Sequence, residues 1–387
     1  MLPARVYAKV NLDAICLNVS RVIDKVGKAV SVMAIVKTDA YGHGAVPVAK
    51  ALCEAGVDSF GVATVEEALQ LRRNGISSPI LILGYVFPED YEKVIKNDIM
   101  HAVFRYENAV ELSKKAVQMG KTAKIHIAVD TGMGRIGFQP NDESIEEIKK
   151  ISLLENIEIN GIFTHFACAD EKDKVSCNAQ KQLYLGFLEK IAANGIKIPV
   201  RHMDNSAGII DYNSDFLDMV RVGIMTYGLY PSEEVNKAGF RLDPALEIIS
   251  RVTFVKKVPA GFKVSYGSTY TTDKDTEIAT VSIGYGDGYP RSLSNKGRVL
   301  INGKFAKIIG RVCMDQMMVD VTGMGVKQGD RVVVVGKDGE NFISVEEVAD
   351  TSGSFNYEFC CCINMRVPRV YIKDGKVSKT VDYIDAL

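Results

Sequence analysis

A chain of 387 residues with 47% hydrophobic and 25% charged side chains is globular in composition and longer than one hydrophobic core usually organises, so two domains are expected. Its 47 Lys and Arg nearly cancel its 48 Asp and Glu, and the formal net charge of -1 offers no broad field to hold nucleic acid or an anionic membrane. A small-molecule ligand is the better expectation. The eight cysteines show no C-x-x-C pairing, which points to reduced thiols in the cytoplasm and to no metal site.

The N-terminal stretch MLPARVYAKVNLDAI lacks a charged segment followed by an apolar one, so it does not read as a signal peptide. No window approaches the roughly 18 uninterrupted apolar residues of a membrane span. Residues 5 to 12 read as a first strand, which could pack with the later part of the chain.

From about residue 32 to 228 an apolar run rich in Val and Ile, a turn and an amphipathic stretch recur. The runs are SVMAIV, SFGVAT, ILILG, HAVF, KIHIAV, INGIFTH, VRHMDN and VRVGIMTYG. Eight β–α units over about 200 residues are the count that closes a βα (TIM-type) barrel. The competing architecture, an open doubly wound sheet, would usually carry a Gly-rich phosphate turn after its first strand, and KTDAYGHGA offers only a G-x-G.

Past about residue 240 the texture changes to β-branched runs with close turns, RVTFVKKV, EIATVSIGYG, RVLINGKFAKII, MMVDVTG and DRVVVVGKDG, and only SVEEVADTSG reads as helix. This predicts a mostly antiparallel β domain. The polar segment around PSEEVNKAGFRLDP reads as the linker, giving domains 1–238 and 239–387. Cys360, Cys361 and Cys362 fall in a strand-like run, where they read as small buried hydrophobes.

A βα barrel carries its active site at the C-terminal ends of its strands. The residues placed there are Lys37, Thr64, Gly84, Asp130, Arg135, His165, Asn205, Ser206, Arg221 and Gly223. Lys37 ends a run buried on both faces if its strand is central, so its amine must reach solvent at the rim or do chemistry. An imine with an aldehyde cofactor is one such use. A rim lysine is the plainer alternative.

The segment Ala34–Gly44, AIVKTDAYGHG, resembles the cofactor-lysine signature of the alanine racemase family, A-x-x-K-A-[DN]-A-Y-G-H-G, with Thr38 where alanine is usual. The resemblance continues in order through DTGMGRIGF, THFACADE, NSA, RVGIMTYGLYP, SYG, IGYGDGYPR, GRVCMDQMMVDV and NYE. It implies a βα barrel followed by a β domain, pyridoxal 5'-phosphate as cofactor, and interconversion of L- and D-alanine, a step in D-alanine and peptidoglycan-precursor synthesis.

By this resemblance Lys37 holds the cofactor covalently. Tyr41, Ser206 and Tyr357, with the backbone amides of Gly223 and Ile224, hold its phosphate. Arg221 contacts the pyridine nitrogen; a guanidinium keeps its proton and so donates without protonating the ring, which restrains side reactions. Racemisation needs an acid/base group on each face of Cα. Lys37 serves one face, and Tyr266 from the partner of a homodimer serves the other.

A phenol ordinarily ionises near pH 10, so base work near neutrality needs cationic neighbours. His165 and Arg221 match the hydrogen-bond chain behind Tyr266, continued by His202, with Asn205 in support. Arg135 and the loop Cys313, Met314 and Asp315 match the side that binds the substrate carboxylate, Met314 through its amide. Tyr285 and Tyr357 match a narrow access channel, which favours small substrates.

One departure concerns Ala128. Many family members carry there a carbamylated lysine that positions the arginine matching Arg135, and a methyl group carries no charge. A bound small anion, chloride, is expected in that space. The change also keeps open a racemase for serine, ornithine, lysine or arginine. A non-catalytic cofactor-binding protein on a single barrel, or a related decarboxylase, is disfavoured by VSYG and CMD. Residue by residue, the plain alternatives are strand-end histidines at 165 and 202, strand aromatics at 266 and 285, an ordinary loop in DTGMGRIG, and a turn residue at Asp287.

Overall fold

A computed structural model describes Leu2, residues 4–212 and residues 216–385. They form two compact units. One comprises Ile15–Ala40 and Ala45–Asp243; the other gathers the N-terminal residues through Ala14, Tyr41–Gly44 and the chain from Pro244 onward.

The chain opens with β1 (Tyr7–Asn11). The eight apolar runs then form β2 (Ser31–Ile35), β3 (Ser59–Val62), β4 (Ile80–Ile82), β5 (Met100–Val103), β6 (Ala123–Ala128), β7 (Ile157–Phe163), β8 (Val200–His202) and β9 (Met219–Val222). Each pairs in parallel with the next, and β9 returns to β2 with Val32 opposite Val220, closing the barrel. Every residue of β3, β4, β5 and β9 is buried, because helices cover the outer face and neighbouring strands fill the inner one.

The outer helices show why. In Asp142–Ser152, Ile145, Ile148 and Ile151 recur on one face and are buried. Each such isoleucine contributes about 2 kcal/mol by leaving water. Asn141 caps this helix by accepting the Ser144 N–H. Thr64, a candidate site residue, is likewise a cap, forming a capping box with Glu67.

The second unit is built on β10 (Leu246–Val258), β11 (Lys263–Val264), β12 (Tyr270–Thr271), β13 (Thr276–Val281), β14 (Arg298–Ile301), β15 (Lys304–Lys307), β16 (Met317–Asp320), β17 (Arg331–Asp338), β18 (Asn341–Ile343), β19 (Arg369–Lys373) and β20 (Lys376–Val381). The main sheet runs β15-β14-β17-β10-β1-β19-β20, with β1 antiparallel to β10 and parallel to β19. β13 pairs with the long β10 and with β16, and Val258, Val264, Ile278 and Ile309 form a core cluster of this unit.

The cysteine run corrects a sequence expectation. Asn356–Cys361 is a helix, not a strand. Three identical residues carry neither a period of 2 nor one of 3.6, so burial decided the conformation: Phe359 and Cys360 face inward and Cys362 is exposed. Among the described residues no helix is long and apolar enough to cross a membrane, and no group of three His, Cys, Asp or Glu is placed to hold a metal ion.

Candidate active site

The chain leaves β2 through Val36 and Lys37 and then takes one turn of left-handed helix. Thr38, Asp39 and Ala40 have φ of 52–53° and ψ of 50–51°, and Tyr41 has φ 53°. Left-handed backbone costs an L-residue about 1–2 kcal/mol, so the strain beside Lys37 persists only because neighbours over-determine it. The Thr38 N–H donates to Glu67 Oε1 at 2.6 Å, and Asp39 Oδ1 accepts the Ala45 N–H at 2.7 Å.

At the end of β9, Arg221 is buried in a network. One terminal nitrogen meets His202 Nδ1 at 2.7 Å; the other donates to the carbonyls of Thr164 (2.8 Å) and Met203 (2.9 Å) and meets His165 Nδ1 at 3.3 Å. Nε is the guanidinium nitrogen without a partner among the described residues. Burial lowers the Arg221 pKa to about 10, with Asp204 the foremost group holding it up. The guanidinium therefore stays charged at neutral pH.

Its histidines do not. Burial, then the charge of Arg221, depresses His165 to about 3, with Arg135 and Lys37 adding to the effect. Those three cations and His165 thus share one end of the barrel. His202 is pushed well below its usual value by the same two causes. Around these rings the positive charge is carried by arginine and lysine, while the histidines are neutral at neutral pH.

Ser206 is buried, and its Oγ accepts the Gly223 N–H at 3.0 Å and the Met225 N–H at 3.5 Å. Hydroxyl and amides therefore converge after β9, a nest suited to an anion. Asn205 is the N-cap of Ser206–Asp211 and accepts the Gly208 N–H. Asp130 Oδ1 folds the DTGMGR loop by accepting the N–H groups of Gly132 and Gly134. Arg135 is exposed on that loop and forms no ion pair among the described residues. Ala128 is 1% exposed and packs with Ala102 and Phe163, against Leu83 and Phe104.

Three residues escaped the sequence reading. His126 Nδ1 meets His202 Nε2 at 2.9 Å, extending the Arg221 chain into the barrel. A Cβ on Gly161 would lie 2.4 Å from the His126 ring, so that glycine makes room for it. Gln180 ties the His165 carbonyl to Thr131. Asp204 is buried with Oδ2 unpartnered among the described residues, and burial raises its pKa to about 6. The available signal was a lone histidine in the apolar run KIHIAV; Gln180 and Asp204 offered none.

In the β unit, Tyr266 is 70% exposed and follows Ser265, whose φ of 66° with ψ of -178° is a conformation normally left to glycine. Ser265 Oγ donates to the Arg311 carbonyl at 2.7 Å and meets Cys313 Sγ at 3.6 Å, tying Tyr266 to the Cys313–Asp315 loop. The N–H groups of Tyr285 and Gly286 donate to the carbonyls of Cys313 and Met314. Tyr266, Tyr285, Cys313, Met314 and Asp315 are thereby one connected surface. The rings of Tyr41 and Tyr357 lie 6.0 Å apart within the same unit.

Models of the alanine racemase N-terminal and C-terminal domains match residues 10–231 and 245–371. The chain is 48% identical over 373 residues to an alanine racemase of Methanococcus maripaludis, covering 96% of this chain and 100% of that one. With the alanine racemase of Clostridium novyi it shares 44% over 381 residues, 98% of each chain. The alanine racemase structure from Clostridium difficile 630 superposes with a TM-score of 0.95 at 40% identity, covering 99% of this chain and 100% of that one. That from Bacillus anthracis with bound L-Ala-P gives 0.93 at 38%, covering 100% of both.

These matches place the chain among the amino-acid racemases. More narrowly, it belongs to the alanine racemase family, whose members depend on pyridoxal phosphate.

Proposed function

We propose that this chain is a pyridoxal-phosphate-dependent racemase that interconverts L- and D-alanine. The observation that carries the reading is the buried Arg221 guanidinium, satisfied at both terminal nitrogens and left with Nε for one further acceptor, at the barrel end that Lys37 also reaches. A pyridine nitrogen is such an acceptor. Lys37 holds the cofactor aldehyde; Ser206, Gly223, Ile224, Tyr41 and Tyr357 hold its phosphate. The bound cofactor supplies electron withdrawal from Cα.

Lys37 and Tyr266 then move the Cα proton on opposite faces, with His165, Arg221 and His202 aligned behind the tyrosine and Tyr285 narrowing access. Arg135 and the Met314 N–H bind the substrate carboxylate. No acceptor for that N–H occurs among the described hydrogen bonds, while the Met314 carbonyl is engaged by Gly286. The relative from Bacillus anthracis was solved with bound L-Ala-P. The thiols, none in a disulfide, suit the cytoplasm.

Incubating purified protein with single L-amino acids and resolving the enantiomers tests activity and substrate together. D-Alanine should form fastest; faster conversion of serine, ornithine, lysine or arginine would replace alanine as the substrate. The second reading deserves this arm because Ala128 leaves Arg135 without the usual anionic neighbour.

The functional unit is a homodimer in which Tyr266 of one subunit serves Lys37 of the other. Mixed Lys37→Ala and Tyr266→Phe chains should recover part of the activity, since each hybrid holds one intact site. Proven hybrids without recovery would mean that the site is built within one chain. Chloride beside Arg135 supplies the missing counter-charge. Anomalous scattering from bromide-soaked crystals should show a peak there, and activity should depend on halide; water in that place and indifference to halide would remove the anion.

A further inference from the structure

Asp287 sits in the short turn Tyr285–Asp287, and its side chain is 0% exposed. A buried carboxylate needs partners for its lone pairs, and this one has three. Arg5 clamps it with two bonds of 3.0 and 2.5 Å, the Gly284 N–H donates to Oδ2 at 3.0 Å, and Arg366 Nε donates to Oδ1 at 2.9 Å. Arg366 does not stop there: its terminal nitrogen donates to Asp315 Oδ1 at 2.5 Å.

The two carboxylates that Arg366 joins belong to two facing loops. Asp287 ends the loop of Tyr285, and Asp315 follows Met314. Between them the backbones lie so close that a Cβ on Gly284 would sit 2.2 Å from the Cys313 carbonyl oxygen and 2.5 Å from that of Met314. The loops are also stitched by Tyr285 N–H to Cys313 (3.0 Å) and Gly286 N–H to Met314 (2.8 Å). A planar guanidinium with donors in a fixed fork can hold two carboxylates at set directions, which an ammonium on a flexible stem cannot.

We propose that Arg366 is a positioning residue for substrate binding: by bridging Asp287 and Asp315 it fixes the Cys313–Asp315 loop against Tyr285 and Gly286, and so sets where the Met314 N–H meets the substrate carboxylate. This rests on the reading of Met314 given above. Arg5 anchors the fixed side of the bridge, since it holds Asp287 and makes no bond to Asp315. Asp315, 58% exposed at its side chain, is the side that moves when the bridge is cut.

The test compares Arg366→Ala, Arg366→Lys and Asp315→Ala with the native holoenzyme. KM for L-alanine should rise about ten-fold in Arg366→Ala and Asp315→Ala, the order expected for weakening one hydrogen bond to a charged group. The kcat should stay within about three-fold, and Arg366→Lys should fall between. Cofactor content and thermal midpoint serve as controls for folding, and Asp315→Ala leaves the Arg5–Asp287 clamp untouched should Arg366→Ala fail to fold.

Hydrogen exchange of peptides spanning 283–288 and 311–317 should quicken in the same variants, independently of turnover. An unchanged KM in folded, cofactor-loaded variants, or unchanged exchange in both loops, overturns the proposal. Absence of alanine racemisation by the native protein would instead overturn the functional reading, and exchange alone would then decide whether Arg366 holds the loops.

Discussion

At the scale of single residues, the site separates charge from proton transfer. Arg221 stays cationic although buried, and His126 and His165, each held down to about 3 by burial, pass hydrogen bonds without carrying charge. In the proposed mechanism the group whose loss is felt most selectively is the proton carrier itself, Tyr266. Tyr266→Phe keeps the ring and removes one oxygen, and its side chain is 70% exposed within this chain, so folding should be spared. Exchange of the Cα proton of L-alanine should drop by about 10²–10⁴, the usual worth of a general acid or base, with cofactor content unchanged. Deuterium wash-in followed by mass spectrometry reads this directly. Exchange within ten-fold of native would assign the proton to another group.

At the scale of elements, the left-handed turn after β2 stores strain next to the amine of Lys37, the proposed cofactor anchor. Thr38 is its worst-suited member, because a β-branched residue at φ 52° is a steric outlier whereas asparagine tolerates that region. Thr38→Asn keeps the backbone bond to Glu67 and should stabilise the protein by about 1 kcal/mol. A rise in thermal midpoint, with activity retained, is the expected result; a fall would mean that the threonine side chain contributes more than the strain costs. This turn was not legible in K-T-D-A-Y, which holds no glycine. The eight barrel strands were, since burial on both faces writes a nearly continuous apolar run in β3, β4, β5 and β9, and the regular β–α alternation marks the rest. What failed to show locally depends on distant partners. His126 needs the missing Cβ of Gly161 across the β6–β7 pair. Asp287 has the look of a turn residue, and its arginines lie 282 and 79 residues away. The helical Cys360 run was fixed by packing that its composition does not encode.

At the scale of the whole molecule, the buried histidines make stability depend on acid. His101 is 3% exposed, its ring stacks on Tyr91 at 5.8 Å, and neither ring nitrogen has a hydrogen-bond partner among the described residues. Burial lowers its pKa to about 4 from an ordinary 6.5, and His126 is lowered to about 3. Below 6.5 the unfolded chain binds protons at these positions and the folded one does not, so stability falls as pH drops toward 4 and 3. By pH 5 each costs about 2 kcal/mol. Asp204 acts in the opposite direction: raised to about 6, it takes up a proton in the folded state first, and by pH 5 returns about 1 kcal/mol. The histidines outweigh it, and the sum is a sizeable part of the 5–15 kcal/mol that holds a typical domain folded. Urea midpoints measured from pH 7 to pH 5 should therefore decline. In His101→Phe, which keeps an aromatic ring against Tyr91 and removes the titrating nitrogens, the decline should be shallower by about 2 kcal/mol at pH 5. An identical decline in both proteins would show that His101 is protonated in the folded state near its ordinary pH, and that its nitrogens have found partners such as buried water.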